Sequence, residues 1–471
     1  MKLIRSLFLI FSIGLLQSGI LQGQTSSTTI TIHEDEIPQS AYAVDGAGVL
    51  FLNKASMEQA KRVGLRGNYP GVKIYRINTQ GQKVWEVLTG PQSFQGLLDE
   101  TSVMGKMIFS SGLETVYFVS GTQQKLVLTR INTQGETKRL EIENLFGYNF
   151  PHAMFCTKNE FAVIIRRNEP GKKGIPAKKI YFLDTWDNDN LTKREITLEL
   201  PLIEKNSAYS DWSYYSNSDD AIYFVSHYTP EMIHDTKVRI LKVDFAGKVQ
   251  ADFMLDLAIN KNLGMYSVTN PRMLHGAGYF DTNINQSDMA SLLFDIKNNA
   301  IYTWGVGLWT DQKKRNEGFY LNKYDLNGQL EWTTQEEIPE SFVKNGLVKS
   351  VYALHSFSVL QVNFDQTLRL HFLALGAIYT LEFFPHGDLR GSFFNNDVGI
   401  GTPNISDASF HFVDRDTSPA FNFLRKKYEA EAKNKDFAKG AFHFFRFSDG
   451  ELLAEFPKIS DRFDLHWFKR E

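Results

Sequence analysis

The sequence predicts an all-β array of seven small repeats. Three observations carry that expectation: a recurring hairpin pattern, a second strand signal ahead of most hairpins, and only two segments with helical character. The hairpin pattern is an apolar or aromatic run, a polar turn closed by Gly, and a second apolar run. It reads cleanly at Lys73–Trp85, Leu126–Gly135, Arg239–Gly247, Leu321–Trp332, Ile378–Gly387 and Phe442–Gly450, with turn glycines Gly81, Gly135, Gly247, Gly328, Gly387 and Gly450. A seventh copy, Ile180–Asn190, carries Asp187-Asn-Asp-Asn190 where the others have Gly. Gly, Asn and Asp accept the positive φ that tight strand connections need, so each copy is a hairpin. With residue 188 standing for the seventh copy, successive turns lie 54, 53, 59, 81, 59 and 63 residues apart. A hairpin pair at that spacing cannot bury its own apolar face, and the repeats must therefore stack or close on one another.

The elements follow in chain order. A basic start and an apolar run, Met1 to Leu16, lead through small and polar residues to Gly23-Gln24. The run is short for a membrane span, and residues 1–23 read as a secretory signal peptide cut near Gly23. Residues 24–39 form an N-terminal segment. Within it, residues 25–32, Thr-Ser-Ser-Thr-Thr-Ile-Thr-Ile, read as a strand that completes the last repeat and closes the array, removing an exposed edge. Residues 40–471 are expected to be one domain. Strand signals that begin at a polar turn and become β-branched and aromatic occur at Leu113–Ser120, Asn159–Ile165, Asp220–Ser226, Asn299–Gly305 and Gln366–Phe372. Each supplies an inner strand pair, A–B, ahead of an outer hairpin, C–D. The 81-residue interval contains Leu293–Trp304, either an inner pair or the hairpin of an extra repeat. Seven repeats are favoured, with six or eight as alternatives. Ser56–Val63 and Ser418–Lys433 have helical propensity, the second with Pro419 near its start and Phe421, Leu424 and Tyr428 three to four apart. Both are expected as insertions in loops, the second as a solvated surface helix, with a cap over one face as the alternative.

Two strands followed by two more at this spacing resemble a blade of the β-propeller superfamily, and the resemblance spans nearly all of the mature chain. Tyr75–Trp85 and Tyr324–Trp332 are similar to the outer hairpin of quinoprotein-like propellers, in which a Trp four residues after the turn glycine docks between blades. The resemblance thus implies packing roles for Trp85 and Trp332. No Trp-Asp repeat of the WD40 kind, kelch double glycine or sialidase Asp box is present, so no specific family is assigned. Quinone-dependent relatives also hold their cofactor against a disulfide of adjacent cysteines, which this chain lacks.

Composition narrows the function classes. The single cysteine, Cys156, cannot form an internal disulfide and reads as a small core residue. The core alone must hold the fold, and 42% hydrophobic with 13% aromatic content suffices for that. A net charge of −3 without long single-sign runs gives no surface for nucleic acid or anionic membrane. No membrane span is expected after signal cleavage, and no cofactor.

His152, His275, His355 and His411 fall near predicted repeat starts, where a ring of blades could gather them as metal ligands, although no two have ligand spacing. Arg272 with His275, and Asp414 with Asp416 after His411, are the densest ionisable loop clusters. Arginine suits an anionic ligand and paired carboxylates suit acid–base work on a sugar; turn chemistry accounts for the same residues. Arg272, His275, His355, His411 and Asp414 form the candidate ligand site at one channel mouth. Asp187–Asn190 offers alternating oxygens as calcium loops do, without their Gly and distal Glu. The nucleophile-elbow, Cys-x-x-Cys and His-Glu-x-x-His motifs are absent. Asp211–Tyr215 and Trp304–Trp309 offer aromatic stacking platforms. The sequence therefore favours an exported periplasmic or extracellular module that binds a protein or glycan. The alternative is a propeller hydrolase or lyase acting on saccharides or small anionic metabolites. Mass spectrometry of the exported chain is expected to place its N-terminus near Gln24, and Met1 intact on membrane-bound protein would overturn the signal-peptide reading.

Overall fold

The computed structural model describes residues 26–33, 36–44, 46–55, 71–89, 103–122, 125–143, 149–169, 178–201, 212–228, 237–256, 263–266, 291–311, 314–344, 358–374, 377–395, 418–431, 441–456 and 461–469. The signal-peptide segment and Ser56–Val63 lie outside them. The described strands make seven antiparallel sheets, and the fold is a seven-bladed β-propeller.

The chain divides into two compact units. The first comprises Met1–Val63, Pro70–Leu88 and His411–Glu471, the second Gly64–Tyr69 and Thr89–Phe410. In the first unit, blade 1 runs β2 (Ile37–Val44), β3 (Gly48–Lys54), β4 (Val72–Ile77) and β5 (Lys83–Thr89) from its inner edge outward. Blade 7 runs β27 (Ala441–Phe447), β28 (Gly450–Phe456) and β29 (Arg462–Lys469), and its outermost strand is β1 (Ser26–Thr31). In the second unit, blade 2 holds β6 (Val103–Phe109), β7 (Val116–Thr122), β8 (Lys125–Ile131) and β9 (Thr137–Glu143). Blade 3 holds β10 (Asn149–Cys156), β11 (Glu160–Glu169), β12 (Lys178–Asp187) and β13 (Lys193–Leu198). Blade 4 holds β14 (Ser213–Asn217), β15 (Ala221–Tyr228), β16 (Lys237–Asp244) and β17 (Val249–Asp256). In blade 5, β18 (Leu263–Tyr266) and β19 (Ser291–Asp295) pair with successive stretches of the same edge of β20 (Ala300–Asp311), followed by β21 (Lys314–Asp325) and β22 (Leu330–Glu337). The long interval is thus one blade with a divided inner edge. Blade 6 holds β23 (Ser358–Val362), β24 (Leu368–Ala374), β25 (Ala377–Phe383) and β26 (Leu389–Asn395).

One piece of turn chemistry builds most of the outer hairpins. Asn78, Asn132, Asp244 and Asp325 each end or directly follow the third strand of a blade, and the side-chain Oδ1 of each accepts from the backbone N–H groups two and four residues on. The glycine three residues on donates its N–H back to the Asx carbonyl at 3.0 Å and takes a φ between +78° and +85°. The side chain thus satisfies donors that the turn takes out of the ladder, while glycine supplies the left-handed backbone. Gly387, at φ +96°, closes the blade 6 turn without an Asx partner. At the Asp187 turn the left-handed position falls to Leu191, φ +60°, a buried side chain in the core beneath. Asn and Asp do not substitute for Gly there; burial of a leucine holds the strained backbone.

Gly450 differs from the outer-hairpin expectation. It connects β27 to β28, the inner pair of blade 7, and it does not have a positive φ. The reason is topological: β1 supplies the outer strand of this blade, so no C–D hairpin exists in it.

Each core cluster of the second unit lies between two neighbouring blades: 2 with 3, 3 with 4, 4 with 5, and 5 with 6. In the first unit one cluster joins blade 7 to blade 1, with Ile30 and Ile32 from the N-terminal segment inside it. Blade edges meet by a repeated contact. The outer strand of one blade lies over the outer turn of the next, where a missing Cβ makes room: Phe253 over Gly328, and Trp332 at 2.6 Å from the position a Gly387 Cβ would take. Thr334 Oγ1 donates to the Gly387 carbonyl at 2.6 Å and the Glu199 N–H to the Gly247 carbonyl at 2.9 Å. Trp332 is half-buried and packs against the blade 5–6 core, whereas Trp85 is buried in β5.

Two helices are described. Helix α1 (Glu340–Lys344) sinks Phe342 into the blade 5–6 core, 5.3 Å from the Tyr379 ring. Helix α2 (Pro419–Glu431) is not fully solvated. Ala420 and Leu424 are buried against Leu453 and Phe468 of blade 7, while Arg425 and Lys426 face water. Ser418 caps it, its Oγ accepting from the Phe421 N–H at 3.1 Å and donating to Glu451 at 2.5 Å.

The Gly–Trp contact sets a stability test. Gly81→Ala and Gly387→Ala both place a Cβ at positive φ, costing about 1 kcal/mol each. Gly387→Ala must also displace Trp332, whereas the space at Gly81 is open to 4.0 Å, so its expected cost is larger by roughly 1–3 kcal/mol. Denaturant titration of Gly387→Ala, Trp332→Ala and the double variant should show destabilisations that sum to more than that of the double.

Candidate functional site

Arg272, His275, His355, His411 and Asp414 lie outside the described residues, as does Asp416. His152 is in β10, at an irregularity in the pairing with β11 between Pro151 and Ala153. The structure neither gathers nor separates these groups. The described chemistry sits instead in polar clusters within and between the blades.

Where the chain passes from β1 to β2, the Glu36 carboxylate is buried. It accepts from the Tyr75 hydroxyl at 2.7 Å, from Asn53 Nδ2 at 3.2 Å and from the His33 N–H at 3.2 Å, with Lys73 Nζ at 3.5 Å. Burial, and then the bond to Glu36, raise the Tyr75 phenol far above its usual range, so it stays a donor. Four groups converge on one carboxylate at the start of blade 1. The arrangement positions backbone and leaves no reactive oxygen exposed.

Under α2, Glu455 and His466 form a second cluster. Glu455 accepts from Lys427 of the helix and lies 3.6 Å from His466 Nε2; His466 Nδ1 is 2.9 Å from Ser27 Oγ of β1. Burial opposes the Glu455 charge, yet the nearby His466 ring and the bond from Lys427 outweigh it and hold the carboxyl below its ordinary range. In blade 3, Asp184 is buried beside Lys193 at 2.7 Å, and there burial prevails and raises its pKa. Blade 6 encloses His371 between Thr380 Oγ1 at 2.8 Å and Gln361 Oε1 at 3.3 Å. Burial keeps this ring neutral, well below the usual histidine pKa. His443 of β27, 5.3 Å from the Phe456 ring, is likewise lowered by burial, to about 4.

The Asp187 turn uses its carboxylate on backbone: Oδ1 accepts from the Asp189 and Asn190 N–H groups at 3.1 and 2.5 Å, and Oδ2 from Thr192 at 2.6 Å. The Asn190 bond is the largest cause of its lowered pKa. Asn188 faces inward, accepting from the Tyr117 hydroxyl of blade 2 at 2.8 Å. No group of three or more metal-binding side chains occurs among the described residues. Cys156 is buried, with Sγ 3.1 Å from the Thr157 carbonyl and burial pushing the thiol up to about 12, an inert core group.

Burial corrects the aromatic platforms at Trp212, Tyr214, Tyr215 and Trp304, while the Trp309 side chain lies outside the described ones. Trp212 is 2% exposed and donates its indole N–H to the Pro201 carbonyl at 2.8 Å. Tyr214 stacks on Phe155 at 5.1 Å, Tyr215 donates to the Leu292 carbonyl of the next blade at 2.7 Å, and Trp304 is in the blade 5–6 core. These rings join blades, and that is why they recur beside strand signals. Exposed aromatic surface occurs instead on blade 6, at Phe364 in the β23–β24 turn and at the outer turn, where Phe384 stacks on His386 at 5.4 Å under the Arg390 guanidinium. An apolar turn residue in Phe384-Pro-His-Gly387 was the outer turn's only sequence signal.

No protein-family model and no curated protein matches this chain. Similar solved structures include the β-propeller domain of the Trilobed protease from Pyrococcus furiosus, at 9% identity and TM-score 0.37 over 92% of this chain and 93% of that one. The Cps50 (Swd1) β-propeller domain of Myceliophteria thermophila shares 11% identity at TM-score 0.33, over 94% of this chain and 98% of that one. The WD40 domain of SCAP from fission yeast shares 8% at TM-score 0.29, over 94% of each. At these values the likenesses add no functional argument, and the fold rests on the strand topology above.

Acid stability tests the neutral histidines. Their folded pKa values lie below the unfolded one, so the unfolded chain binds more protons and stability falls as pH drops through about 6.5, continuing for His443 to about 4. Stability measured across that window should decline less steeply in His371→Gln and His443→Gln than in the parent; equal slopes would contradict the burial argument.

Proposed function

We propose that this chain is an exported binding module whose ligand is a protein or glycan, and that its two units act as one propeller domain. The observation that supports this reading is the placement of exposed apolar side chains in the second unit. Met254 on β17, Leu330 at the start of β22 and Phe384 at the blade 6 outer turn are 44%, 45% and 39% exposed. They occupy the outer strands or turns of three consecutive blades, where rows of unpaired strand edge also lie. Exposed apolar groups held on a rigid scaffold suit contact with another surface. The ionisable groups described inside the blades, by contrast, are committed to holding strands together. Arg272, His275, His355, His411 and Asp414 belong to the same proposal as contacts for a polar or anionic ligand at a channel mouth.

Glycan and peptide arrays probed with the exported chain should give binding without turnover. The combined Met254→Ser, Leu330→Ser and Phe384→Ser variant is expected to lose at least tenfold in affinity, roughly the loss of one hot spot. Hydrolysis or elimination of a saccharide by the parent, abolished in Arg272→Ala or His411→Ala, would replace this reading with the hydrolase or lyase one. Binding unaffected by the triple variant would exclude the outer-blade surface.

A further inference from the structure

Strand β1 is held by few of its own side chains. All six residues pair with β29, but Ser26, Ser27, Thr29 and Thr31 are exposed, and only Ile30 and the following Ile32 enter the core. Among the described residues two side-chain bonds supplement the ladder: Ser27 Oγ with His466 Nδ1 at 2.9 Å, and Thr29 Oγ1 donating to Asp464 Oδ1 at 2.7 Å. Four residues beyond Ile32 the chain is pinned at Glu36, whose side-chain partners Tyr75, Asn53 and Lys73 all belong to blade 1, while its bond from the His33 N–H ties the connection itself to the pin. The strand can therefore leave without disturbing the pin.

His466 is the point at which β1 meets α2. One ring nitrogen faces Ser27, the other lies 3.6 Å from Glu455, and the ring packs 4.7 Å from Phe423 of the helix. Glu455 in turn accepts from Lys427, on the next turn of the same helix. The helix thus fixes both groups that orient the imidazole, and the imidazole contacts the strand. Phe423 is also 5.5 Å from Phe468, in the same strand as His466.

We propose that β1 is a releasable outer strand and that α2 gates its release through the His466 ring. With α2 docked, His466 is held toward Ser27 and the strand is latched. With α2 undocked, the ring loses Phe423 and Glu455 of β28 loses Lys427, and β1 lifts from its Ser27 end toward Ile32. The inference concerns blade 7 alone and does not depend on the ligand proposed above.

Hydrogen exchange read by mass spectrometry on the full mature chain tests it, with peptides covering β1, α2 and, as internal reference, β28. In the parent, β1 should exchange at least about tenfold faster than β28, the mark of a local opening. Phe423→Ala removes a helix side chain, yet it should speed β1 exchange about as much as His466→Ala does, by roughly tenfold, with β28 unchanged. Should either variant also speed β28, Phe423→Leu and His466→Gln decide by the same comparison. The proposal is overturned if β1 and β28 exchange together in the parent, or if the Phe423 variants speed α2 while leaving β1 as it was.

Discussion

Each blade is a sheet with two apolar faces, and one sheet can cover neither of them. The rest of the structure follows from that constraint. Core residues are gathered between adjacent sheets, with strand residues alternating toward one neighbour and then the other. In blade 3, Phe161, Val163 and Ile165 face blade 2 while Ala162 and Ile164 face blade 4. Stability is then nearly a sum of nearest-neighbour terms, as in other repeat arrays, and the contact between one blade's outer strand and the next blade's turn fixes the spacing of those terms. The turn glycines serve two purposes at once: they permit the left-handed backbone, and at Gly328 and Gly387 they leave the space that an aromatic ring fills.

The polar interior obeys a complementary rule. A buried carboxyl is satisfied where several donors converge on it, as on Glu36, and its charged form is favoured where a flexible lysine reaches in from a neighbouring element, as Lys427 does to Glu455. Where the convergence is weaker, burial prevails: Asp184 is pushed upward, and His371 and His443 are kept neutral. The perturbed pKa values of this protein thus mark positions where strands and helices are fastened. Perturbation alone is a poor guide to a reactive centre here.

The outer hairpins were legible because their chemistry is local. An Asx residue and a glycine three positions apart define the turn wherever they occur, and the aromatic strand ahead of it needs only an alternating pattern. Blade 7 was misread in one respect for the opposite reason: whether Phe442–Gly450 is an inner or outer pair depends on a strand more than four hundred residues away. The Leu191 turn escaped because its left-handed backbone is held by tertiary burial, which no dipeptide signals. Trp212 and Trp304 looked like platforms because composition does not distinguish a ring facing water from a ring facing the next blade. Helix α2 read as solvated from its charges, although Ala420 and Leu424, four apart, carried its buried stripe. Of the candidate ligand residues, spacing could say only that separate repeats contribute them; what they face is a matter of loop conformation.

The pairing of Ser27 with His466 spans 439 positions, nearly the whole chain. During synthesis, β1 emerges hundreds of residues ahead of its partner, so for most of that interval the strand is an unpaired edge in the company of other nascent chains. Segments in that situation are prone to wrong pairing when they are apolar and flat. Ser26-Ser-Thr-Thr-Ile-Thr has a single large apolar residue among hydroxyls, which makes it a weak template for such association. Its modest grip on β29 is thus the other face of its safety while it waits, and the blade that completes the fold relies on a strand whose composition favours patience over adhesion.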